Sequence, residues 1–421
     1  MQENVQKAII VGVQLQHSYD FEYSMQELRN LAAACYIDVV GELSQKAERV
    51  NPTHYIGTGK LHELRALAEA HDAPVVIFND ELSPSQIRNI EAELERTVID
   101  RTILILDIFA ERAQTKEAQL QVEVARLQYM LPRLVGLRAS LGRQGGGSGL
   151  RNRGAGETKL ELDRRRIEER ISTLQSDLEK LVSRRQIQRR QRKKNEMPVV
   201  CLVGYTNTGK SSLMNALMET YDPDTNKQVF AQDMLFATLE TSVRRIDLPD
   251  NKSFLLTDTV GFVNQLPHHL VKAFRSTLEE VTEADLLVHV VDYAHEDYEQ
   301  LIAVTQETLK ELGADKIPTV YAYNKCDLTD HPYPLAKKES VYMSVKEKAG
   351  IDELVKLIGE QIFDDYMQCE VLIPYDKGRL VSYFNEKALV HSTSYEAEGT
   401  RMKLELRAAD YEKYKDEFIE L

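Results

Sequence analysis

The stretch PVVCLVGYTNTGKSSLMNAL, Pro198 to Leu217, decides the fold of this chain. An apolar run leads into Gly204-x-x-x-x-Gly209-Lys210-Ser211, and a helical pattern follows. A phosphate-binding P-loop needs this order of strand, glycine-rich loop and helix N-terminus, because glycines let backbone N–H groups approach phosphate oxygens. The lysine of such a loop reaches the β and γ oxygens, and the serine hydroxyl is a ligand of Mg²⁺. The sequence therefore predicts a P-loop nucleotide-binding domain.

Two motifs downstream indicate where the phosphates and the base would bind. FLLTDTVGF ends a buried strand at Asp258, a Walker-B carboxylate for Mg²⁺ through water, and places the Gly261 amide beside the γ-phosphate. PTVYAYNKCDL ends a strand at Asn324-Lys325-x-Asp327. A carboxylate in the last position accepts two hydrogen bonds from guanine N1 and N2, and adenine has no matching donors. The chain is therefore expected to bind GTP and GDP.

Two more segments complete the predicted site. VYMSVKEKAG supplies Ser344-Val345-Lys346 as the contact to the guanine oxygen, and MLFATLETSVRRI contains Thr238 as the switch threonine for Mg²⁺. We expect Lys210, Thr238 and Gly261 to act in catalysis, and Ser211, Thr238 and, through water, Asp258 to hold Mg²⁺. The predicted nucleotide-binding residues are Gly204, Tyr205, Thr206, Asn207, Thr208, Gly209, Lys210, Ser211, Phe236, Ala237, Thr238, Leu239, Glu240, Asp258, Thr259, Val260, Gly261, Asn324, Lys325, Cys326, Asp327, Ser344, Val345 and Lys346.

Asn207 and Phe262 bear on ion binding and on the rate of hydrolysis, respectively. Asn207 either coordinates K⁺, as in some potassium-activated GTPases, or is a loop-stabilising amide. Phe262 follows Gly261 where many GTPases have a glutamine that orients the attacking water. A phenyl ring cannot hydrogen-bond a water, so slow intrinsic hydrolysis is expected.

Composition and charge describe a soluble, folded chain. It has 421 residues, 43% apolar and 29% charged, with a net charge of −14. No apolar run approaches the roughly 18 residues of a membrane span, and the first residues lack the features of a signal peptide. The four cysteines have no metal-ligand spacing and are interpreted as isolated core thiols. We expect a cytoplasmic monomer.

The chain before the P-loop divides into two predicted regions. Residues 1–107 alternate strand and helix signals, which favours a small α/β domain with a mostly parallel sheet. Its HYIGTGKL segment lacks the first P-loop glycine and is interpreted as a turn into a helix. Residues 108–194 keep apolar residues at helical spacing on both sides of LGRQGGGSGLRNRGAGETK. They predict an antiparallel helical hairpin whose glycine-rich tip, 141–157, lies far from the body, since about 35 helical residues reach about 50 Å.

The predicted hairpin is basic although the chain is acidic. Residues 133–194 carry 18 Lys or Arg and 7 Asp or Glu, a net charge of +11, which leaves −25 for the rest of the chain. This pattern is typical either of a solvated helix surface or of a nucleic-acid binder. The GTPase domain is predicted at 195–364, and CEVLIPYDKGRLVSYFNEKAL begins a small α/β domain at 365–421. The predicted fold class is thus multidomain α/β, with a Ras-like P-loop GTPase domain.

Along nearly its full length, the sequence resembles the HflX family of ribosome-associated GTPases. The matching segments include YIGTGKLHELR, FNDELSPSQIRNIE, GAGETKLELDRRRI, GYTNTGKSSLMNAL and DTVGF. The resemblance implies binding to the large ribosomal subunit, nucleotide-dependent splitting or rescue of ribosomes, and insertion of the hairpin into ribosomal RNA near the peptidyl-transferase centre. The implied RNA-binding residues are Arg143, Arg151, Arg153, Lys159, Arg164 and Arg165. The family's usual Arg-Gly-Pro-Gly-Glu is Arg-Gly-Ala-Gly-Glu at 153–157, after an extended glycine run, which leaves the contacts of the tip open.

The sequence is compatible with two functions. In one, GTP hydrolysis times release of an enzyme from the large subunit. In the other, the protein is a binding module that acts while GTP-bound, for example as an antibiotic-protection factor at the peptidyl-transferase region, and hydrolysis is incidental to its action. Splitting of ribosomes in one round by a variant that binds but cannot hydrolyse GTP would discriminate them.

Overall fold

A computed structural model describes residues 6–16, 21–144, 162–181, 197–221, 242–263 and 280–418. The chain forms two compact units, one N-terminal and one that contains the P-loop and the C-terminal residues. Among the described residues, no helix combines the length and the apolar character needed to cross a membrane.

The N-terminal unit contains a parallel sheet with the strand order β2-β1-β3-β4. This confirms the predicted alternation of strands and helices. Helix α2 begins at Thr58, directly after Gly57, so HYIGTGKL is a turn into a helix as predicted. The elements are β1 Gln6–Leu15, α1 Phe21–Ala34, β2 Ile37–Ala47, α2 Thr58–Ala70, β3 Val75–Phe78, α3 Pro84–Leu94, β4 Thr97–Asp100 and α4 Arg101–Arg112.

The long helical pattern after β4 is interrupted. Helix α4 runs through the predicted boundary at 107/108, and α5, Lys116–Gln144, begins only after a break. Ala113 has an extended backbone, and Thr115 Oγ1 accepts a hydrogen bond from Ala118 N at 3.2 Å, as an N-cap residue does. With 29 residues, α5 is about 43 Å long.

Helix α6, residues 162–181, packs against α5. Arg170 of α6 also donates to Glu123 of α5 at 2.9 Å. Their shared apolar surface consists of Leu120, Val124, Leu127, Leu131, Ile167, Ile171, Leu174, Leu178 and Leu181. The predicted tip, 141–157, lies almost wholly outside the described residues, so its distance from the body stays a prediction.

Asp100, at the end of β4, joins the middle of α5 to the N-terminal sheet by hydrogen bonds. This fully buried carboxylate caps α4 at Ile103 N and accepts a hydrogen bond from Leu82 N, both at 3.0 Å. Tyr129 and Arg133 of α5 donate to the same carboxylate, and Arg133 also donates to Leu82 O at 2.9 Å. The first part of the predicted arm, up to Arg133, is therefore anchored to the N-terminal domain.

The second unit contains a seven-stranded sheet with the order β10-β11-β9-β8-β5-β7-β6. Its central strands are parallel, while the edge strands β6 and β10 are antiparallel to their neighbours. The carboxyl ends of β5, β8 and β9 thus meet at one edge. The elements are β5 Val199–Val203, α7 Lys210–Tyr221, β6 Ser242–Asp247, β7 Ser253–Asp258, β8 Leu286–Asp292, α8 Tyr298–Leu312, β9 Thr319–Asn324, β10 Leu335–Lys337, β11 Ser340–Tyr342 and α9 Ile351–Ile362.

The C-terminal residues form a small α/β domain, with an antiparallel sheet ordered β12-β14-β13. The predicted strand, helix and strand pair are confirmed. Its elements are β12 Tyr366–Pro374, α10 Gly378–Lys387, β13 Leu389–Tyr395, β14 Gly399–Arg407 and α11 Ala408–Tyr414. The four cysteines are free; Cys201 and Cys326 are buried, and Cys35 and Cys369 are half-buried.

Candidate guanine-nucleotide site

The loop between β5 and α7 has the backbone of a phosphate-binding turn. Gly204 and Gly209 have φ values of +141° and +97°, which side chains rarely permit. A Cβ on Gly204 would lie 2.3 Å from Val290 O, and one on Gly209 would lie 2.4 Å from Asn324 Nδ2. Neither position has room for a side chain, so both glycines are required by the close approach of β8 and β9.

Lys210, the first residue of α7, is buried with its ammonium group inside this loop. The side chain donates to Gly204 O at 3.0 Å and Tyr205 O at 2.6 Å. Burial lowers the pKa of Lys210 to about 8, although the nearby charge of Asp258 raises it. A buried ammonium gains strongly from an anionic partner, so this environment favours phosphate oxygens as ligands.

Ser211 and Asp258 lie together at the other side of the loop. Ser211 Oγ donates to Asp258 Oδ2 at 2.6 Å, and Asp258 is fully buried at the end of β7. Thr259 donates to Leu202 O at 2.6 Å, which fixes the chain after that carboxylate. A hydroxyl and a carboxylate are hard oxygen donors of the kind that suits Mg²⁺ bound together with phosphates. The described residues contain no group of three His, Cys, Asp or Glu that could hold a metal.

Gly261 and Phe262 pack directly against the P-loop. A Cβ on Gly261 would lie 2.8 Å from Thr206 Cα and 3.0 Å from Lys210 Nζ. Phe262 N donates to Gly204 O at 3.1 Å, and Phe262 O accepts from Thr206 N at 2.8 Å. Phe262 is 2% exposed. The residue in the expected glutamine position therefore faces the protein interior.

Asn324 joins the P-loop to the predicted base-contact segments. Its Nδ2 donates to Thr208 O at 2.9 Å, and its Oδ1 accepts from Val345 N at 2.9 Å. Asp327 Oδ1 accepts from Ser344 Oγ at 2.6 Å. The P-loop and the two base-contact segments, which follow it by more than 110 residues in the sequence, thus form one continuous site.

The remaining predicted base-site residues lie in the same place. Lys325 has φ +64° and donates to Asp292 at 2.7 Å, while Cys326 N donates to Met343 O at 3.2 Å. Lys346 Nζ lies 4.0 Å from Asp327 Oδ2. The structure thus places Lys346 beside the Asp327 carboxylate, while the side chain of Lys325 pairs with Asp292.

The other predicted phosphate-site residues lie in this loop or in the segment after β7. Thr206 and Val260 are buried, and Thr208 Oγ1 donates to Tyr205 O at 3.1 Å. Asn207 is exposed with φ +61°, a backbone conformation that asparagine tolerates. That conformation is compatible with a loop-stabilising residue and leaves K⁺ coordination as a prediction.

Several predicted residues lie outside the described part of the chain. These are Phe236, Ala237, Thr238, Leu239 and Glu240 of the switch segment, Arg151, Arg153 and Lys159 of the tip, and the side chain of Arg143. The two described RNA candidates lie on α6. Arg164 donates to Glu168 at 2.8 Å and Arg165 to Glu169 at 3.2 Å, each four residues along the helix.

His289 is a neighbour of this site that the sequence reasoning missed. It lies on β8, opposite Val203 at the end of β5, and is 2% exposed. Burial, followed by the charge of Lys210, lowers the pKa of His289 to about 3, so the imidazole is neutral. A histidine inside the apolar strand LLVHVVD gives no local signal; only the pairing of β8 with β5 places it beneath the P-loop.

Comparisons with known proteins give the family of the chain. Three family profiles match: GTP-binding GTPase N-terminal at residues 22–110, GTP-binding GTPase Middle Region at 112–192, and 50S ribosome-binding GTPase at 199–325. The chain is 45% identical over 401 residues to the GTPase HflX of Caldanaerobacter subterraneus, covering 95% of this chain and 91% of that protein. It is 38% identical to the GTPase HflX of Escherichia coli, covering 94% and 92%. A GTP-binding protein of Sulfolobus solfataricus, solved with GDP, is 23% identical with a TM-score of 0.45, covering 85% of this chain and 99% of that one.

Proposed function

This chain belongs to the HflX family of GTPases, and on that premise we propose that it binds the large ribosomal subunit and uses GTP binding and hydrolysis to split or rescue ribosomes. The GTPase assignment itself follows from the family. Nucleotide binding belongs to residues 195–364, while residues 1–107 and 108–194 make the ribosomal contacts. The contiguous P-loop, Asp258 and Asn324–Asp327 site is the observation that carries the proposal.

In this proposal, different residues of the site bind the phosphates, the guanine base and Mg²⁺. Lys210 binds the β and γ oxygens, and Asp327, held by Ser344, accepts hydrogen bonds from guanine N1 and N2. Ser211 and Asp258, together with Thr238, would hold Mg²⁺, directly or through water. When bound, Mg²⁺ neutralises charge that develops between the β- and γ-phosphates.

Hydrolysis is proposed to depend on the ribosome. Phe262 is buried and its backbone is tied to Gly204 and Thr206, so it offers no polar group to the attacking water. The missing water-orienting group would then come from the bound subunit or from a segment that the subunit orders. This arrangement restricts GTP consumption to ribosome-bound protein.

The charge distribution supports RNA contact through residues 133–161 and 182–194 rather than through helix α6, which lies between them in the sequence. Helix α6, residues 162–181, carries five Arg or Lys and five Asp or Glu, so its net charge is zero. Each of its five cations lies within 4.0 Å of a carboxylate. The entire +11 is therefore carried by residues 133–161 and 182–194, and we propose that these segments contact phosphates.

A pelleting experiment tests this proposal. The intact protein is sedimented with large subunits in the presence of GDP, GTP or a non-hydrolysable GTP analogue. We expect the analogue to support binding and, in one round, splitting. Release should require hydrolysis. Equal pelleting with all three nucleotides would contradict nucleotide-dependent binding.

A pair of variants separates the tip from the helix surface. Replacement of residues 142–156 by a short neutral turn should weaken subunit binding and remove any footprint on the catalytic-centre RNA, while GTP affinity stays unchanged. The matched control is Arg164→Gln with Arg165→Gln, whose side chains already pair with Glu168 and Glu169. The affinity of the control for the large subunit should lie within about threefold of the parent's. Its two arginines are already paired with glutamates, and the loss of such exposed ion pairs changes the stability of the protein little. If the tip variant pelleted as well as the control, RNA recognition by the tip would be excluded.

A further inference from the structure

The hairpin of β6 and β7 connects the predicted switch segment to the metal carboxylate. Strand β6 begins at Ser242, directly after the segment that contains Thr238, and β7 ends at Asp258. The two strands pair continuously, from Ser242 opposite Asp258 to Asp247 opposite Ser253. The hairpin turn, residues 248–252, therefore lies six residues from Asp258, about 20 Å along a strand.

Asn251 in this turn binds the end of a helix in the C-terminal domain. Its Nδ2 donates to Ala388 O at 2.9 Å and to Asn385 O at 3.5 Å. Both carbonyls lie at the C-terminus of α10, where the last carbonyls have no partner within the helix. Asn251 has φ +61°, so its backbone is already shaped to present the amide. A side chain of the GTPase domain thus supplies a cap for a helix of the neighbouring domain.

Lys252 makes a second contact with the same domain. Its Nζ donates to Glu405 of β14 at 2.6 Å and lies 3.3 Å from Asp250. The ammonium group also lies 5.0 Å from the ring centroid of Tyr366, at the start of β12. The Lys252 side chain is 13% exposed and that of Glu405 is 19% exposed, so solvent screens this pair only partly.

We propose that Asn251 and Lys252 are positioning residues through which the C-terminal domain holds the β6–β7 hairpin and, at its far end, Asp258. The two contacts fix the turn against α10 and β14, and the paired strands transmit that restraint along their length. Asp258 receives Ser211 Oγ at 2.6 Å, so a shift of β7 along its axis would separate the proposed Mg²⁺ ligands.

The turn contacts and the proposed metal ligands lie at opposite ends of the same hairpin. Each therefore stabilises the other, and by the same free energy. Release of the hairpin turn should weaken retention of Mg²⁺-bound GDP. It should leave the guanine contacts intact, since Asn324 and Asp327 lie on β9 and the loop after it.

The test uses full-length variants that remove each contact without straining the backbone. Asn251→Gly deletes the amide but tolerates positive φ, and Lys252→Met deletes the charge but keeps the packing. The matched control is Arg401→Met, which removes exposed ion pairs with Glu370 and Glu396 elsewhere in the C-terminal domain. The readouts are GDP release with Mg²⁺, GDP release in EDTA, and amide hydrogen exchange of residues 253–258 in metal-free protein.

We expect both variants to release GDP at least about fivefold faster in Mg²⁺. Release in EDTA should be unchanged, because the effect acts through the metal ligands. Amides 253–258 should exchange faster, and Arg401→Met should match the parent in all three measurements. Release and exchange within twofold of the parent would overturn the proposal, even if the melting temperature fell. Equal acceleration in EDTA, or by Arg401→Met, would also overturn it.

Discussion

Nucleotide binding should become weaker above pH 8 because of Lys210. Burial lowers the pKa of this ammonium group to about 8 in the free protein. Phosphate oxygens beside Nζ favour the charged form, so the pKa in the complex should return to or exceed the ordinary value of 10.5. Above pH 8 the free protein has lost the proton, and nucleotide binding must take it up from solution. The affinity therefore falls as the pH rises.

The two pKa values determine the size of this effect. Below pH 7 the free lysine is charged, and the affinity is independent of this group. At pH 8 about half a proton is taken up for each GDP bound, and the dissociation constant is about tenfold larger at pH 9 than at pH 7. That factor corresponds to about 1.4 kcal/mol of binding free energy.

Isothermal titration of GDP between pH 7 and 9, in two buffers with different ionisation enthalpies, measures both quantities. Lys210→Arg is the control, since a guanidinium stays protonated over this range. Its affinity will be lower, but the proton uptake should disappear, and any ionisation of the nucleotide remains in both proteins. Identical pH dependence in the two proteins would refute the lowered pKa of Lys210.

Three further predictions concern other parts of the chain. Asp327→Asn should lose GTP and gain xanthosine triphosphate, because one acceptor becomes a donor; unchanged GTP affinity in a competition assay would remove the guanine assignment. Intrinsic hydrolysis should be slow and accelerated by ribosomes because Phe262 cannot orient water; rapid turnover without ribosomes would contradict this, and equal rates in Na⁺ and K⁺ would exclude K⁺ coordination by Asn207. Arg133→Met should lower the free energy of unfolding by about 2–4 kcal/mol, because hydrogen bonds to Asp100 and Leu82 are lost; a change below about 0.5 kcal/mol in urea denaturation would show that α5 is anchored without it.

Local sequence patterns were enough for the elements and for the motif positions. The strand and helix periodicities of the N-terminal domain depend on which face of each element is buried, and they predicted its parallel sheet. The P-loop could be predicted because its glycines, lysine and serine are contiguous in the sequence, from the end of β5 into the first turn of α7. The sequence did not predict the interruption of the helix at Ala113–Thr115, because apolar spacing continues through it. The N-cap at Thr115 is a single side-chain hydrogen bond and gives a weak local signal.

Local sequence patterns could not predict the contacts between distant segments. The lowered pKa of Lys210 depends on its burial, and the neutral state of His289 depends on the pairing of β8 with β5. The count of basic residues in the hairpin did not show that Arg164 and Arg165 already pair with glutamates. Nor did it show that Asn251 caps a helix that begins more than 120 residues later. Burial and long-range hydrogen bonds depend on packing between elements, and packing is a property of the folded chain rather than of any window of its sequence.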